Sequence, residues 1–499
     1  MTGMNRRSFT VGAGAAALLG ACGGPPSPEV KPNLLVVLLD DLGQREFPLY
    51  NPGFDAAIPV MRRLASQGVW FRNAYATPIC AASRVELLTG RYAHRTGVYH
   101  NQFWLRGREV YDEHPTFAAR LKSQGYATAI AGKWNAGSLP ADDPMIGFDE
   151  TLFWPGYPEL AMRGLSFDGP RETANRPSRY WHPAFIENGA LAETGPDDFS
   201  INVEAAFLER FMRRRIEQDE PFCAFWSSVA PHDAPNVLPL TPDNQGEGGD
   251  LESPHRIIRR QARLADILEY FDARLGAMLE RLEAWGALES TLIMVLSDNG
   301  SALLEKAGRV EVGALVPAIM AGYGVAPRGK STALTDFSDI APTLLDFAGA
   351  PAPAADAFDG KSLKPFLSGA RERHRDWIHS YLYDWRLLRT DDYLLEALGM
   401  TGQAIERRLF ATGGSIDRAD YALVTDDPAH AEALERLTAQ LDQMPAIDPG
   451  AFDEICRTDN PKCPSRAIGD FLQAETQRDL AERDSRIREY WRDGARLDL

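Results

Sequence analysis

Apolar residues fall in short, nearly unbroken runs separated by polar clusters. Asn33 to Leu39 reads NLLVVLL. Such a run suits a parallel strand covered on both faces, where no side chain meets water. Tyr126 to Ala131, Phe222 to Val229 and Thr291 to Leu296 read likewise. Between them the period changes. Ile58, Met61, Leu64 and Ala65 recur at helical spacing, with Gly68 as a stop, and Leu264, Ile267, Leu268, Phe271, Leu275, Met278 and Leu282 mark a long helix over Ala262 to Leu282. Strands alternating with helices predict an α/β fold with a mostly parallel central sheet flanked by helices. The stretch from about Phe153 to Ser200 is rich in Pro, Gly and aromatic residues and reads as an elaborated loop region. Beyond a Pro/Ala linker at Pro351 to Ala357, the pattern from about Glu372 changes to short strand-like pieces, Trp377 to Tyr383 and Asp392 to Leu395, then a helix around His430 to Leu441. These predict a smaller C-terminal α+β subdomain with an antiparallel sheet. The expected division is 33–371 for the main domain and 372–499 for the subdomain.

The ends and the charge refine this picture. Arg6-Arg7-Ser8-Phe9 precedes a small-residue apolar run from Val11 to Leu19 and then Leu19-Gly20-Ala21-Cys22. A basic start, a short apolar stretch and small residues before a cut site read as a secretory signal over 1–22, too short to remain as a membrane span. The paired arginines resemble a twin-arginine signal. The ending resembles a lipoprotein box, which would make Cys22 the lipidated first residue; a plain signal peptide is the alternative. Residues 23–32 then form a Pro/Gly tether. The expectation is therefore an exported protein, periplasmic or anchored to the outer membrane, touching lipid only through that anchor. The 499 residues carry 53 Lys and Arg against 70 Asp and Glu, a formal charge of −17. That balance argues against nucleic acid as a partner, and it requires a local cationic pocket if the substrate is an anion. Of the five cysteines, Cys223 sits in a strand-like run and reads as a buried thiol, whereas Cys456 and Cys463 flank a polar loop and could pair.

Candidate chemistry follows the strands. Asp40-Asp41 comes directly after the first, Lys133 after the second, His232 after Ala230-Pro231, and Asp298-Asn299 after Thr291 to Leu296. Ligands in open α/β sheets bind outside the carboxyl ends of the strands, so four polar strand ends imply one convergent site. Alone, Asp40-Asp41 would read as a helix cap and Asp298-Asn299-Gly300 as a turn. Together Asp40, Asp41, Asp298 and Asn299 offer only oxygen ligands, which suits Ca²⁺, or less well Mg²⁺, rather than zinc. Cys80 opens a short predicted helix, where unpaired N–H groups and the helix dipole favour an anion, and Arg84 lies one turn on. Spacing alone leaves a structural thiol beside a surface arginine equally open.

Cys80-Ala-Ala-Ser-Arg84 followed by Leu88-Thr89-Gly90-Arg91 resembles the signature of the type I, formylglycine-dependent sulfatases, with Ala82 where Pro is commoner. The similarity continues in order through Asn33 to Asp41, Ala131-Gly-Lys-Trp134, Gly147-Phe-Asp-Glu150, Ala230-Pro-His232, Ser297-Asp-Asn-Gly300, Asp339-Ile-Ala-Pro-Thr-Leu344 and Asp359-Gly360, over about residues 30 to 370. The resemblance implies an alkaline-phosphatase-like fold and conversion of Cys80 to formylglycine (3-oxoalanine) by a separate formylglycine-generating enzyme. It implies a metal held by Asp40, Asp41, Asp298, Asn299 and residue 80. It assigns Arg84 to the aldehyde hydrate, Lys133 and Lys306 to the sulfate oxygens, and His232 to proton donation toward the leaving oxygen. A sulfate ester, carried by a carbohydrate in the reading that fits export, is the implied substrate.

Two departures stand out. The family usually reads Lys-Trp-His where this chain reads Lys133-Trp134-Asn135, and Asn cannot take a proton at neutral pH. His94 and His100 are the candidate replacements. Lys306 keeps the family spacing to Glu311, but the Glu-Gly-Gly motif there is reduced to Glu311-Val312-Gly313. A phosphonate or phosphate ester hydrolase with the same nucleophile is the near alternative, and a non-catalytic metal-binding lipoprotein the more distant one.

Overall fold

The computed structural model describes residues 31–100, 109–137, 146–154, 179–232, 238–244, 248–252, 256–301, 306, 309–354 and 356–450. The signal and tether through residue 30, Cys456 and Cys463, and the end of the C-terminal segment lie outside the described residues.

Among the described residues, ten strands form the large sheet: β1 (Asn33–Leu39), β2 (Val69–Tyr75), β3 (Ala127–Lys133), β4 (Glu150–Trp154), β5 (Ile186–Glu187), β6 (Ala190–Leu191), β7 (Phe222–Ser227), β8 (Thr291–Ser297), β9 (Ala318–Gly322) and β10 (Gly329–Asp336). Their spatial order is β10-β2-β9-β8-β1-β7-β3-β4-β5-β6. The centre, β8-β1-β7-β3-β4, is parallel throughout. The run at Asn33–Leu39 thus occupies the position its pattern demanded. Leu34, Val36 and Leu38 point into one core, and Leu35, Val37 and Leu39 into the other, all essentially inaccessible. Successive side chains of a strand face opposite sides, so a continuous apolar run is what a sheet buried on both faces requires.

The predicted helices are present as Pro59–Gln67 and Arg256–Ala284. Gly68 ends the first for a reason other than a left-handed cap. A Cβ there would lie 2.1 Å from the Met320 carbonyl oxygen, so the chain can pass β9 only as glycine. The antiparallel insertion of β9 between β2 and β8 had no sequence signal.

The C-terminal strands β11 (Ile378–Leu382), β12 (Trp385–Arg389), β13 (Tyr393–Leu398), β14 (Glu406–Ala411) and β15 (Ala422–Leu423) form a separate antiparallel sheet in sequence order, followed by a helix over Ala431–Leu441. Its inner side chains, among them Tyr381, Leu387, Leu394 and Leu409, join the same hydrophobic cluster that covers one face of the large sheet. Buried polar contacts reinforce the junction. Asp339 accepts from His374 Nε2 at 2.9 Å, Arg375 Nη1 at 2.8 Å and the Lys361 amide at 2.8 Å. Glu311 accepts from Tyr75 at 2.7 Å and Tyr421 at 2.9 Å and lies 3.4 Å from Arg389 Nε. The remnant Glu311-Val312-Gly313 therefore ties the two sheets together.

A second buried acid pins a helix to the strand ends. Glu204, on the Ser200–Glu217 helix, accepts from Trp226 Nε1 and Ser228 Oγ, both at 2.8 Å. Burial pushes its carboxyl up to about 7 although those donors oppose the shift. A carboxyl raised on folding holds its proton more tightly in the native state. Its contribution is full below the unfolded value of about 4.5 and is lost as pH rises through about 7. We expect Glu204→Gln to remove a stability loss on the order of 3 kcal/mol between pH 4.5 and 8. Urea midpoints measured for both proteins across that range check it; parallel profiles would contradict the buried-acid account.

Candidate active site

The parallel strands end side by side, and their first residues beyond the sheet are stitched together. The Asp40 amide donates to the Ala230 carbonyl at 2.9 Å, and the Asp298 amide to the Leu39 carbonyl at 3.0 Å. Gly132, at φ +107, lets β3 touch β7; a Cβ would lie 2.0 Å from the Ser227 carbonyl oxygen. That approach allows Ser227 Oγ to donate to the Lys133 carbonyl at 2.6 Å. Asp41 takes the left-handed conformation at φ +66, and its amide donates to Asp298 Oδ1 at 3.0 Å. A non-glycine residue there is uncommon, and Asp is among the residues that tolerate it.

Cys80 is the first residue of a ten-residue helix, Cys80–Thr89, that is buried along its whole length. One ligand atom from each of Asp40, Cys80 and Asp298 lies within 4.8 Å of the others, and the same holds for Asp40, Asp41 and His232. Asn299 joins them by donating from Nδ2 to Asp41 Oδ1 at 2.8 Å. The structure thus gathers Asp40, Asp41, Cys80, Asp298 and Asn299 in one place.

Arg84 sits beneath this cluster, 2 % exposed. Its Nε and Nη2 approach Asp298 Oδ2 at 3.0 and 2.8 Å, and its Nη1 donates to the Lys133 carbonyl at 3.0 Å and Ser227 Oγ at 2.5 Å. Nη2 is 3.7 Å from Asp40 Oδ1. Lys133 Nζ donates to Asp40 Oδ2 at 2.6 Å. Lys306 Nζ reaches Asp41 at 2.6 and 2.8 Å, and His232 Nε2 at 3.1 Å. Burial works against a charged Asp40, yet Lys133, His232 and Arg84 together outweigh it and hold the carboxyl below the usual range. Burial likewise opposes the charge on Lys306, but Asp41, Cys80, Asp40 and Asp298 together keep its ammonium above the usual lysine value. Asp298 is the exception: burial and the adjacent Asp40 push it up to about 7 in spite of Arg84. His232 is kept well below the histidine range by burial, Arg179 and Lys306, and is neutral.

The donor set fits a hard cation. Asp40 Oδ1 and Asn299 Oδ1 are buried and, among the described residues, have no hydrogen-bond partner. Such oxygens are costly to bury unless something positive meets them. The oxygens of Asp40, Asp41, Asp298 and Asn299 are of the kind a hard divalent cation takes.

Asn135, at φ +43, directs Nδ2 at Cys80 Sγ from 3.2 Å, so the residue that stands where the family usually has histidine does reach Cys80. The two candidate substitutes part ways. His94 has Asp359, Arg95 and Arg91 as its charged neighbours. His100 stacks on Tyr383 with centroids 4.0 Å apart; burial and Lys306 hold it down to about 3, so it stays an uncharged base on the Lys306 side. Cys223 is fully buried, as its run implied. Trp154 and Trp181 are buried and serve packing rather than an open face for a sugar ring. Sequence reasoning missed Ser227, whose signal was its place at a strand end, and Arg179, whose Nη1 lies 2.5 Å from His232 Nδ1.

A parallel sheet whose strand ends present clustered carboxylates, three permanent cations and a helix-borne cysteine defines the alkaline-phosphatase-like class of ester hydrolases. The Sulfatase family model matches residues 32–350, and the chain belongs to that family. It is 30% identical over 383 residues to a choline-sulfatase of Rhizobium meliloti (strain 1021), covering 68% of this chain and 72% of that protein. It is 28% identical over 388 residues to the N-acetylgalactosamine-6-sulfatase of Canis lupus familiaris, covering 72% and 69%. The solved phosphonate monoester hydrolase from Silicibacter pomeroyi superposes with a TM-score of 0.60 at 23% identity, covering 83% of this chain and 95% of the other, a likeness of fold. The protein is a sulfuric ester hydrolase.

Proposed function

We propose that the chain hydrolyses sulfate esters with formylglycine made from Cys80 as nucleophile and Ca²⁺ as its ion, on a sulfated carbohydrate substrate. One observation carries this reading: Cys80 opens a buried helix with its sulfur within 4.8 Å of Asp40 and Asp298, beside carboxylate and amide oxygens that lack hydrogen-bond partners among the described residues. Asp40, Asp41, Asp298 and Asn299 would hold the ion with residue 80. Bound there, it would polarise the sulfate oxygens and favour a deprotonated nucleophile.

The chain's own groups account for the rest. Three carboxylates face three permanent cations, so a divalent ion leaves the pocket with a net charge of about +2, suited to a sulfate group as negative charge builds on its oxygens. Arg84 keeps Asp298 and the Lys133 main chain in place beneath residue 80. Lys133 and Lys306 turn from the aspartates toward the sulfate oxygens. Asn135 donates to a hydroxyl at position 80 and so orients it without removing its proton. His232 faces the leaving oxygen. The relative named for N-acetylgalactosamine-6-sulfate supports a carbohydrate substrate, and the one named for choline sulfate supports a small ester.

Matched aryl sulfate, phosphonate and phosphate diester substrates test the reaction, together with mass spectrometry of the Cys80 peptide from protein matured in its host. An aldehyde and a preference for sulfate are expected. A preference for phosphonate would favour the alternative that the shared fold also permits. An unmodified thiol in active enzyme would remove the proposed nucleophile. We further infer export with a lipid at Cys22; the absence of labelled fatty acid at that residue would exclude the anchor.

A further inference from the structure

The turn between β11 and β12 consists of two residues, Tyr383 and Asp384. Connections this short take Gly, Asn or Asp where φ is positive, because larger side chains crowd the backbone there. Tyr383 nevertheless sits at φ +51. A bulky residue in that region is an outlier, and strain of this kind gathers at functional sites. Contacts with the main domain hold it. The Tyr383 amide donates to the Tyr99 carbonyl at 3.4 Å, and its ring stacks on His100. The second turn residue is fixed as well. The Asp384 carbonyl accepts from the Gly399 amide at 2.8 Å, and its carboxylate lies 3.1 Å from Arg309 Nη2.

This turn brings the C-terminal sheet to the anion pocket. His100 is close enough to Lys306 for the ammonium to bear on its charge, and Lys306 itself contacts Asp41 and His232. Arg309 follows Lys306 by three residues. The Arg309 and Asp384 side chains keep 17 % and 14 % of their surface, so a ligand can reach both. Arg309 also borders a depression with Trp385, Glu396 and Arg408. An ion pair so placed is neutral as a unit, yet it offers an acceptor and a donor side by side. Adjacent sugar hydroxyls match that combination: their hydrogens go to the carboxylate and their oxygens accept from the guanidinium. A quaternary ammonium calls for an uncompensated acid and an open aromatic face. Here Arg309 cancels the acid, Lys306 is a like charge close by, and His100 covers one face of the Tyr383 ring.

We propose that the Tyr383-Asp384 turn and Arg309 form the subsite for the alcohol that carries the sulfate, and that they select a polyhydroxylated ring over a quaternary ammonium alcohol. This rests on the reading of the strand-end cluster as a sulfate ester site, and it assigns the residues that choose among esters there. Asp384 accepts from two neighbouring hydroxyls of the ring, and Arg309 donates to their oxygens. The stack of Tyr383 on His100 holds the turn on the Lys306 side. These groups make and break no bond. They decide which ester is held with its sulfate in the cationic pocket.

Three kinds of ester read the subsite: a panel of monosaccharide sulfates that includes N-acetylgalactosamine 6-sulfate, choline sulfate, and 4-nitrophenyl sulfate, which has neither hydroxyls nor a cation. The wild type turns over at least one monosaccharide sulfate with a higher kcat/KM than choline sulfate. In Asp384→Asn, kcat/KM for that sugar sulfate relative to 4-nitrophenyl sulfate falls about 30-fold, and Asp384→Glu recovers part of the loss. Arg309→Gln lowers the same ratio. A ratio measured within one preparation does not depend on the fraction folded, so partial unfolding cannot mimic it. Equal losses on both esters, or a wild type that prefers choline sulfate, overturn the proposal. A wild type without activity on any sulfate ester would refute the reaction itself, and calorimetry with the sugar sulfates would still decide the subsite. Tighter binding to the wild type than to Asp384→Asn supports it; equal or absent binding overturns it.

Discussion

Cys80→Ala is expected to lower kcat by about 10⁴-fold or more, because no neighbouring group can take over as nucleophile. Asp40 and Asp298 surround the thiol but are committed to cations, and Asn135 is an amide. The substitution removes one buried atom from the start of a helix whose other residues are all buried. Loss of that atom costs the fold about 1 kcal/mol. Parallel thermal melts and ion-binding titrations should therefore show a folded protein that still takes up a divalent cation. Turnover within tenfold of the wild type on any sulfate ester would mean the chemistry lies elsewhere.

Removing divalent ions with a chelator is expected to cost about 10³-fold in rate, with Ca²⁺ restoring more than Mg²⁺. The physical ground is the imbalance at the strand ends. Asp40 Oδ1 and Asn299 Oδ1 lack partners among the described residues, and Asp298 is raised to about 7 beside Asp40. A cation at that point satisfies the oxygens and restores Asp298 to its charged form. The native state alone presents the assembled ligands, so binding also stabilises the fold by mass action, by about 3 kcal/mol at a hundredfold excess over Kd. Asp40→Asn should weaken calorimetric Ca²⁺ binding and narrow that thermal shift. Full activity after exhaustive chelation, confirmed by elemental analysis, would exclude the ion from the reaction.

Much of this was open to reading from the linear chain because it is local. The run Asn33–Leu39 carries its burial in its own composition, and a polar pair directly after such a run must lie at a strand end. The Cys80 to Arg84 spacing places both residues on one face of one helical turn. Asp40-Asp41, Lys133, His232 and Asp298-Asn299 could be collected for that reason, and the structure does bring them together.

Other features had no local trace. Glu311 looked like a decayed site motif, yet its partners Tyr75, Arg389 and Tyr421 make it a bridge between sheets. His94 and His100 were equal candidates until packing set one beside Asp359 and the other against Tyr383 near Lys306. Arg179 lay in a loop with no pattern. The amino-acid sequence by itself determined the two-faced parallel core, the order of the strand-end polar groups and the helix-borne cysteine, since period and adjacency act within a few residues. Tertiary structure alone decided which cation meets which carboxylate, where β9 inserts, and that Arg179 packs against the His232 ring. Those outcomes depend on contacts such as Arg84 to Asp298, 214 positions apart, that form only when distant segments pack.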